Sequence, residues 1–372
     1  MSIAAANSPQ TPDYSSLEHC VFAHGKVRSL RALIVGAGAL GNEVTRALGL
    51  IGVGAISIVD PDIVQPANFA TSLFLRHAAP GARKASALAA TAASVFPDTR
   101  FAALDCEIAD VGFGVFCSAN VVFGCVDSDL ARLEMAYVST KLDRPVCDAG
   151  LGTPNYSQGR VSWFPGRAAG CYGCTLSSRR RAELLTFWDA SVRPCADPSV
   201  SSPNSSTPTM AALTGALQAD IGLHRCLGPA SAASALEITL DAKPRLQVID
   251  LPISPACPFH TAAPEPLLPA GNRSRTVRQF LQDSGPVPGT ALLLDWPLCV
   301  DARCRSCGHR WTPLMRCAKL RRHGVCPSCA SRDILELATL RAIEPASRWA
   351  DLTLWDLRVP DQHLLTVRCV EP

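Results

Sequence analysis

The sequence lacks any hydrophobic run that approaches the roughly 18 residues needed to cross a membrane. Its first twenty residues also lack a basic start followed by an apolar block, the pattern of a secretory signal. From these two absences we expect a cytoplasmic protein that is not membrane-bound.

Charge is neither abundant nor one-sided, with 18% charged residues and a formal net charge of +3. This balance argues against bulk attraction to nucleic acid or to a membrane surface. The 48% hydrophobic content is too high for a disordered chain. At 372 residues the chain is long enough for two or three domains of about 150 residues each.

Strand-like and helix-like segments alternate through the first half of the chain, which predicts a doubly wound, mostly parallel Rossmann-like α/β sheet. Helices are expected after residue 41, over 83–96, over 128–143 and over 209–227. The predicted strands are RALIV (31–35), AISIVD (55–60), RFAALDC (100–106), ANVVFGCVD (119–127), PVCDAG (145–150) and GRVSWFP (159–165), with EITL and PRLQVID as a terminal hairpin.

The remaining segments interrupt this pattern and suggest the domain organisation. A polar, Ser/Pro-marked start predicts a flexible arm over 1–28, and a Ser/Pro-rich stretch predicts a crossover loop over 175–208. Several prolines and glycines indicate a linker over 262–290. We therefore expect one large domain over 29–261 and a small cysteine-rich module over 291–372.

A glycine-rich turn, GAGALG, places Gly36, Gly38 and Gly41 directly after the first strand and at a helix start. Glycines let backbone amides approach phosphate oxygens, and a helix N-terminus favours their negative charge. Asp60 ends the second strand, where an acid is placed to hold a ribose hydroxyl. The pattern is typical of an adenine-nucleotide site, but it does not separate NAD from ATP, and a tight turn without a ligand also fits it.

Further charged residues favour ATP. Asp62 and Asn68 follow the second strand, Lys84 begins the next helix, and Asp127 closes a later strand with Arg132 five residues on. A lysine and an acid near a nucleotide suit phosphate neutralisation and Mg²⁺ coordination, neither of which hydride transfer needs. For Lys84 by itself, a solvated helix position is the alternative.

Residues 29–261 resemble the ubiquitin-activating-enzyme-like superfamily, the ThiF/MoeB/HesA family of adenylyltransferases, in the bacterial type with a C-terminal zinc ribbon. The resemblance implies ATP-dependent adenylation of the C-terminal carboxylate of a ubiquitin-like or sulfur-carrier protein, with release of pyrophosphate. It also implies a homodimer. By this resemblance the glycines would line the phosphates, Asp60 would bind the ribose, and Asp127 would hold Mg²⁺. Asn68 and Lys84 would contact the phosphates, and Lys84 and Asp127 would be catalytic; Asp62 and Arg76 are further cofactor-binding candidates.

The sequence departs from the family in its arginines. Thr71 stands where the family carries an arginine, and no Arg-Tyr-x-Arg-Gln arm is present near the N-terminus. Arg28, Arg31 or Arg76 are candidate substitutes. Loss of transition-state arginines costs orders of magnitude in rate, so a catalytically degenerate partner subunit remains an alternative. A peptide-adenylating enzyme and an NAD-dependent oxidoreductase are further alternatives, and the latter leaves the lysine and paired metal motifs unexplained.

Two groups of cysteines have zinc-ligand spacing. Cys-x-x-Cys and Cys-x-x-His pairs flank the crossover loop, and a second set has zinc-ribbon spacing with Gly308 and Ser331 after its knuckles. A redox pair or buried thiols are the alternative for the first group, while the off-pattern Cys299 and Cys317 are taken as ordinary thiols. The eight basic residues of 300–332 form either a solvated face or a docking surface for an acidic partner. The predicted ligands are Cys171, Cys174, Cys257 and His260 in one site, and Cys304, Cys307, Cys326 and Cys329 in the other.

Cys195 lies in the predicted crossover loop and is the candidate nucleophile for a thioester with the activated acyl group. An unreactive loop thiol is the alternative. Cys125 and Cys147 lie in buried-strand context and Cys226 ends a helix, so all three are less suited. A thioester would imply hand-over to a conjugating partner.

Overall fold

The computed structural model describes residues 12–14, 24–152, 157–189, 207–260, 265–284 and 290–369. These residues divide into two compact units. The first takes in the described residues of Met1–Ile108, Phe116–Thr175 and Ser201–His260, and the second those of Ala109–Val115, Leu176–Val200 and Thr261–Pro372. Among the described helices, none is both long enough and apolar enough to cross a bilayer.

The first unit is built on an eight-stranded sheet in the order β3-β2-β1-β4-β5-β6-β7-β8. The strands from β3 to β5 in this order are parallel, and β5 to β8 form an antiparallel meander. This arrangement confirms the expected Rossmann-like α/β fold and the terminal hairpin. The strands are β1 (Arg31–Val35), β2 (Ala55–Val59), β3 (Arg100–Leu104), β4 (Val121–Gly124), β5 (Val146–Gly152), β6 (Gln158–Phe164), β7 (Ser234–Thr239) and β8 (Arg245–Asp250).

Local sequence explains where the helices begin and end. Ser128 caps α5 by accepting from the Ala131 amide, Thr207 caps α8 in the same way, and α2 ends at Gly52 in the left-handed conformation. The helices are α1 (His24–Ser29), α2 (Ala39–Ile51), α3 (Lys84–Val95), α4 (Phe113–Ser118), α5 (Asp129–Leu142), α6 (Tyr172–Thr175), α7 (Ser178–Asp189), α8 (Pro208–Leu227), α9 (Val277–Asp283) and α10 (Cys317–His323), with 3-10 turns at Pro66–Ala70, Leu73–Leu75, Ile108–Asp110 and Arg348–Asp351.

The segment expected to be a flexible arm is anchored where the structure describes it. The Tyr14 hydroxyl donates to a carboxylate oxygen of Asp98 at 2.6 Å, and Arg28 Nη1 donates to the Asp98 carbonyl at 2.7 Å. Burial and the Asp98 carboxylate raise the pKa of Tyr14 to about 12. Within the predicted arm over 1–28, these described residues therefore contact a distant turn, which the composition of the segment does not reveal.

The second unit is organised around β10, which pairs with four other strands. Its core includes Val277 and Phe280 of α9 together with Leu292 and Ile343. Within the predicted linker over 262–290, a capping box at Thr276 starts a helix amid the Pro- and Gly-rich composition, and that helix contributes to this core. The strands are β9 (Leu267–Pro269), β10 (Thr290–Cys304), β11 (Arg310–Trp311), β12 (Met315–Arg316), β13 (Ile334–Ile343) and β14 (Leu364–Cys369).

Candidate active site

The three glycines in the turn between β1 and α2 differ in how much space surrounds them. Gly36 has a φ of +105°, and a side chain on it would collide with the Cys125 carbonyl. A side chain on Gly41 would collide with the Gly36 carbonyl. At Gly38, in contrast, an added Cβ has no described atom within 4 Å. The chain's own packing thus requires Gly36 and Gly41, whereas Gly38 leaves open space at the helix N-terminus.

The start of α2 is suited to bind an anion. Gly38 is its N-cap residue, and no side chain caps it among the described residues. The first amides of a helix lack intrahelical acceptors and carry the positive end of the helix dipole. A phosphate group accepts hydrogen bonds from these amides, and its negative charge is attracted to the positive end of the dipole.

Asp60 at the end of β2 holds the glycine turn in place. Its Oδ2 accepts from the Ala37 amide at 2.7 Å, and its Oδ1 accepts from the Asp62 amide at 2.8 Å. Burial raises the pKa of Asp60, although both amide bonds and the nearby Lys84 oppose this shift. Carboxylate oxygens accept more than one hydrogen bond, so the same group retains capacity for a ribose hydroxyl.

Lys84 lies beside these acids. Its Nζ donates to Asp62 Oδ2 at 2.8 Å, and its backbone amide donates to the Asp62 carbonyl at 3.0 Å. The ion pair fixes the lysine over the loop that follows β2. The structure thus brings Gly36, Asp60, Asp62 and Lys84 together at one edge of the sheet.

Asn42 is a site residue that the sequence reasoning missed. It is buried in α2, and its Nδ2 donates to the Ala37 and Gly38 carbonyls at 3.1 and 3.0 Å. Its Oδ1 accepts from the Phe74 amide at 3.0 Å, which ties the glycine turn to the 3-10 turn Leu73–Leu75. A polar residue on the buried face of an otherwise apolar helix is the signal that points to such a role.

The loop after β2 carries the other predicted phosphate contacts. Asn68 caps its own 3-10 turn, because its Oδ1 accepts from the Gln65 amide at 2.8 Å. Thr71 closes that turn as its C-cap residue, at the position where an arginine was expected. Arg76 follows the next 3-10 turn and is exposed. No described contact joins Arg76 to the acids or to Lys84, so the structure does not bring it into the group.

The end of β4 lies against the glycine turn. The Cys125 amide donates to the Val35 carbonyl at 2.8 Å, and the Cys125 carbonyl is the atom that a side chain on Gly36 would strike. Asp127, two residues further on, is exposed. Asp127, the predicted Mg²⁺ ligand, therefore lies just beyond the end of β4, beside the glycine turn.

Arg132 and Asp148 form a buried pair next to that strand end. Arg132 Nε donates to Asp148 Oδ2 at 3.1 Å, and Arg132 Nη2 donates to the Val126 and Ala149 carbonyls at 2.7 and 3.1 Å. Burial raises the pKa of Asp148 to about 6 despite the adjacent guanidinium. Its Oδ1 has no hydrogen-bond partner in the described ranges. The pair could not be read from the sequence, because the two residues come from different elements.

A cavity of about 360 Å³ opens beside this pair. The glycine turn does not line this cavity. Arg132 does line it, and its Nη2 also donates to the carbonyl of Val126, the residue before Asp127. Its walls are formed by the ends of β5, β6 and β7, and the polar groups that face it include Arg132, Asp148, Gln158, Arg160, Tyr172 and Glu237.

The first cysteine cluster has the geometry of a metal site. Cys171 Sγ lies 3.9 Å from Cys174 Sγ and 3.8 Å from Cys257 Sγ. Four ligands arranged tetrahedrally at Zn–S distances of about 2.3 Å would have sulfurs about 3.8 Å apart. His260 Nδ1 is hydrogen-bonded to the Arg167 carbonyl at 3.0 Å, while its Nε2 has no hydrogen-bond partner among described atoms. This orientation leaves Nε2 as the fourth ligand atom, in the manner of metal-bound histidines.

This cluster is linked to the helix that follows Asp127. The hydroxyl of Tyr172, which lies between Cys171 and Cys174, donates to Asp129 Oδ1 at 2.7 Å. Asp129 is the first residue of α5. The predicted structural zinc site thus contacts the same chain segment as the predicted Mg²⁺ ligand.

The second cluster, in the other unit, fits zinc equally well. Its Cys304–Cys329 and Cys307–Cys326 sulfur pairs are 3.6 and 3.7 Å apart, and all four ligand atoms lie within 4.8 Å of one another. The turn residues after the knuckles are Gly308 and Ala330, both with positive φ. The expectation that Ser331 fills the second turn is wrong, because it lies one residue further on, where its hydroxyl bonds Ser306.

Several of the eight basic residues around this cluster are paired with acids. Arg310 pairs with Asp301, Arg321 with Glu336, and both Arg316 and Lys319 with Asp110. These pairs favour the solvated-face interpretation over a strong attraction for an acidic partner. Cys299 and Cys317, set apart from the ligands in the sequence, are both buried in one apolar cluster.

The candidate nucleophile Cys195 lies outside the described residues. Burial raises the pKa of Cys125, Cys147 and Cys226, which keeps all three as neutral thiols. Their environment agrees with the expectation that they are poor nucleophiles.

Comparison with known proteins places this arrangement in context. A model of the ThiF family matches residues 20–258. Ubiquitin-like modifier-activating enzyme 5 of Bombyx mori is 28% identical over 162 residues, which cover 40% of each chain. Adenylyltransferase and sulfurtransferase UBA4 of Eremothecium gossypii is 29% identical over 152 residues, 40% of this chain and 33% of the relative. The chain thus spans less than half the length of these curated relatives. The crystal structure of E. coli MccB with ATP gives a TM-score of 0.47 at 15% identity, over 63% of this chain and 68% of that chain.

Proposed function

Because the chain belongs to the ThiF family, we propose that it catalyses the ATP-dependent adenylation of a C-terminal carboxylate on a ubiquitin-like or sulfur-carrier protein. The names of the curated relatives, a ubiquitin-like modifier-activating enzyme and an adenylyltransferase, support this class of reaction.

One observation carries the proposal: the predicted nucleotide residues converge at the carboxyl ends of neighbouring parallel strands. The glycine turn, the pinned Asp60 and the Lys84–Asp62 pair meet there, and the strand end before Asp127 packs against Gly36. Ligands of open α/β sheets bind at this edge. Hydride transfer would not need the lysine or the exposed acid.

In this reaction the substrate carboxylate attacks the α-phosphorus of ATP, and the bond to the bridging oxygen breaks to release pyrophosphate. The helix N-terminus at Gly38 binds phosphate oxygens, with Gly36 and Gly41 shaping the turn and Asp60 at the ribose. Lys84 neutralises phosphate charge, Asn68 and Arg76 would assist it from the loop after β2, and Asp127 would hold Mg²⁺. The substrate tail reaches the nucleotide through the cavity beside Arg132 and Asp148.

After adenylation, the Cys195 thiolate attacks the acyl carbon and AMP leaves, which generates a thioester for a conjugating partner. The Cys171, Cys174, Cys257 and His260 cluster and the Cys304, Cys307, Cys326 and Cys329 cluster would each hold one zinc ion. Because four protein ligands would leave no open position, the role of these ions would be structural. A homodimer is part of the same proposal.

The test is ATP–pyrophosphate exchange with a candidate ubiquitin-like protein. Wild-type protein is expected to exchange label only when the carrier and Mg²⁺ are present, and Asp127→Ala is expected to abolish exchange. Exchange that survives Asp127→Ala would remove that residue from its role.

A second candidate function follows from Thr71, which caps a 3-10 turn where the family arginine is expected. Without that charge the chain acts as a degenerate partner subunit that binds nucleotide but does not adenylate. A stable complex with another activating subunit, combined with no exchange activity of its own, would favour this candidate.

A further inference from the structure

Gln218 is an amide buried in the core of the first unit. It lies on α8, is fully shielded from solvent, and shares its helix face with Ala211, Ala219 and Leu223. Burying an amide among apolar groups is unfavourable unless every donor finds an acceptor. The contacts of this side chain therefore indicate why it is there.

Both donors of the amide bind main-chain carbonyls, one at the end of β4 and one near the start of β5. Gln218 Nε2 donates to the Gly124 carbonyl at 2.9 Å and to the Cys147 carbonyl at 2.8 Å, and its Oε1 accepts from Cys125 Sγ at 3.5 Å. Gly222 makes this reach possible, because a side chain there would collide with the Phe123 ring and hold α8 away from the sheet.

These acceptors lie where β4 and β5 stop pairing. The ladder between the two strands ends at Gly124 and Asp148, and the chain then continues through Cys125 and Val126 to Asp127. On its other side this strand end is held to β1 by the Cys125–Val35 backbone bond. Towards β5, Gln218 bridges the strands from the helix side, and Arg132 bridges the Val126 and Ala149 carbonyls.

We propose that Gln218 is a positioning residue, which holds the end of β4 so that Asp127 projects correctly beside the glycine turn. The catalytic role of Asp127 rests on the proposed function, whereas the restraint of the end of β4 by Gln218 does not. An apolar residue would fill the core equally well, but it would remove the two side-chain hydrogen bonds that tie the Gly124 and Cys147 carbonyls to α8.

The experiment compares Gln218→Met with Thr214→Val one turn earlier on the same helix. Thr214 is equally buried, and its hydroxyl has no hydrogen-bond partner in the described structure, so the control removes a polar atom without freeing a carbonyl. Two readouts are taken: deuterium uptake of a peptide covering 121–132, and the Mg²⁺ concentration that gives half-maximal pyrophosphate exchange.

Gln218→Met is expected to increase the exchange rate of the 121–132 amides about tenfold, because the strand end opens more often. It is expected to raise the Mg²⁺ requirement about threefold or more, because Asp127 is no longer held in place. Gln218→Glu, which stays neutral in this apolar setting and keeps one O–H donor, is expected to fall between wild type and Gln218→Met. It also carries the test if the methionine variant does not fold.

If deuterium uptake or the Mg²⁺ requirement of Gln218→Met equals that of Thr214→Val, the proposal is overturned. If the wild-type protein shows no pyrophosphate exchange at all, the proposed function fails. The deuterium readout then still decides whether Gln218 restrains the strand end.

Discussion

Replacing Gly38 with alanine separates the phosphate-binding role of the glycine turn from its folding role. The backbone at Gly38 has φ −78° and ψ −157°, which alanine adopts without strain, and an added Cβ meets no described atom within 4 Å. Alanine is a weaker N-cap than glycine, but it also reduces the entropy of the unfolded chain, and each effect is about 0.5–1 kcal/mol. We therefore expect a net change in the free energy of unfolding within about 0.5 kcal/mol.

Nucleotide binding should respond differently, because the new methyl group occupies the space into which phosphate oxygens approach the helix amides. A loss of one or two amide contacts corresponds to about 1.4–3 kcal/mol, or a ten- to hundredfold rise in the Kd for Mg-ATP. Isothermal titration calorimetry measures this Kd, and chemical denaturation measures stability. Gly25→Ala is the matched control, since its Cβ also meets no described atom. Unchanged ATP affinity in a stably folded Gly38→Ala protein would refute phosphate binding at this turn.

Three further predictions concern the buried acid and the metal clusters. The raised pKa of Asp148, about 6, means that the folded protein holds a proton that the unfolded chain releases near pH 4. The free energy of unfolding should therefore fall as pH rises from about 4 to 6, by up to about 3 kcal/mol relative to Asp148→Asn. Urea denaturation across this pH range measures the difference, and parallel curves for wild type and Asp148→Asn would contradict the prediction. His260→Ala should lose zinc from the first cysteine cluster at a lower chelator concentration than wild type, whereas His260→Cys should not. Elemental analysis after dialysis against chelator decides, and equal zinc retention by the alanine variant and wild type would exclude His260 as a ligand. Ala330→Gly should stabilise the second unit by about 0.5 kcal/mol, because the left-handed φ of 58° is strained for alanine; a lower denaturation midpoint would oppose this.

The parts of the fold that sequence predicts well are those encoded locally. In RALIV, four apolar residues follow Arg31 without interruption up to Gly36, and the structure places β1 over the same five residues, Arg31–Val35. The cysteine pairs are also local signals, because two ligands three residues apart require only a tight turn. Both sets of four ligands come together in the structure.

What sequence could not predict depends on contacts between distant residues. Asn42 and Gln218 are polar residues on largely apolar helix faces. The partners that reveal their roles lie on other elements: the Phe74 amide for Asn42, and the Gly124 and Cys147 carbonyls for Gln218. The Arg132–Asp148 pair joins a helix to a strand 16 residues away. The prolines and glycines around Val277–Asp283 favoured a linker over a helix in the sequence analysis, although Thr276 and Gln279 form a recognisable capping box.

The central claim is that this site joins AMP to a C-terminal carboxylate. The most direct measurement is the intact mass of a candidate ubiquitin-like or sulfur-carrier protein after incubation with the protein, ATP and Mg²⁺. We expect a carrier species heavier by one AMP group, formed by wild-type protein but not by Asp127→Ala. A carrier whose mass stays unchanged, while the same protein binds Mg-ATP and a competent family enzyme adenylates that carrier, would contradict it.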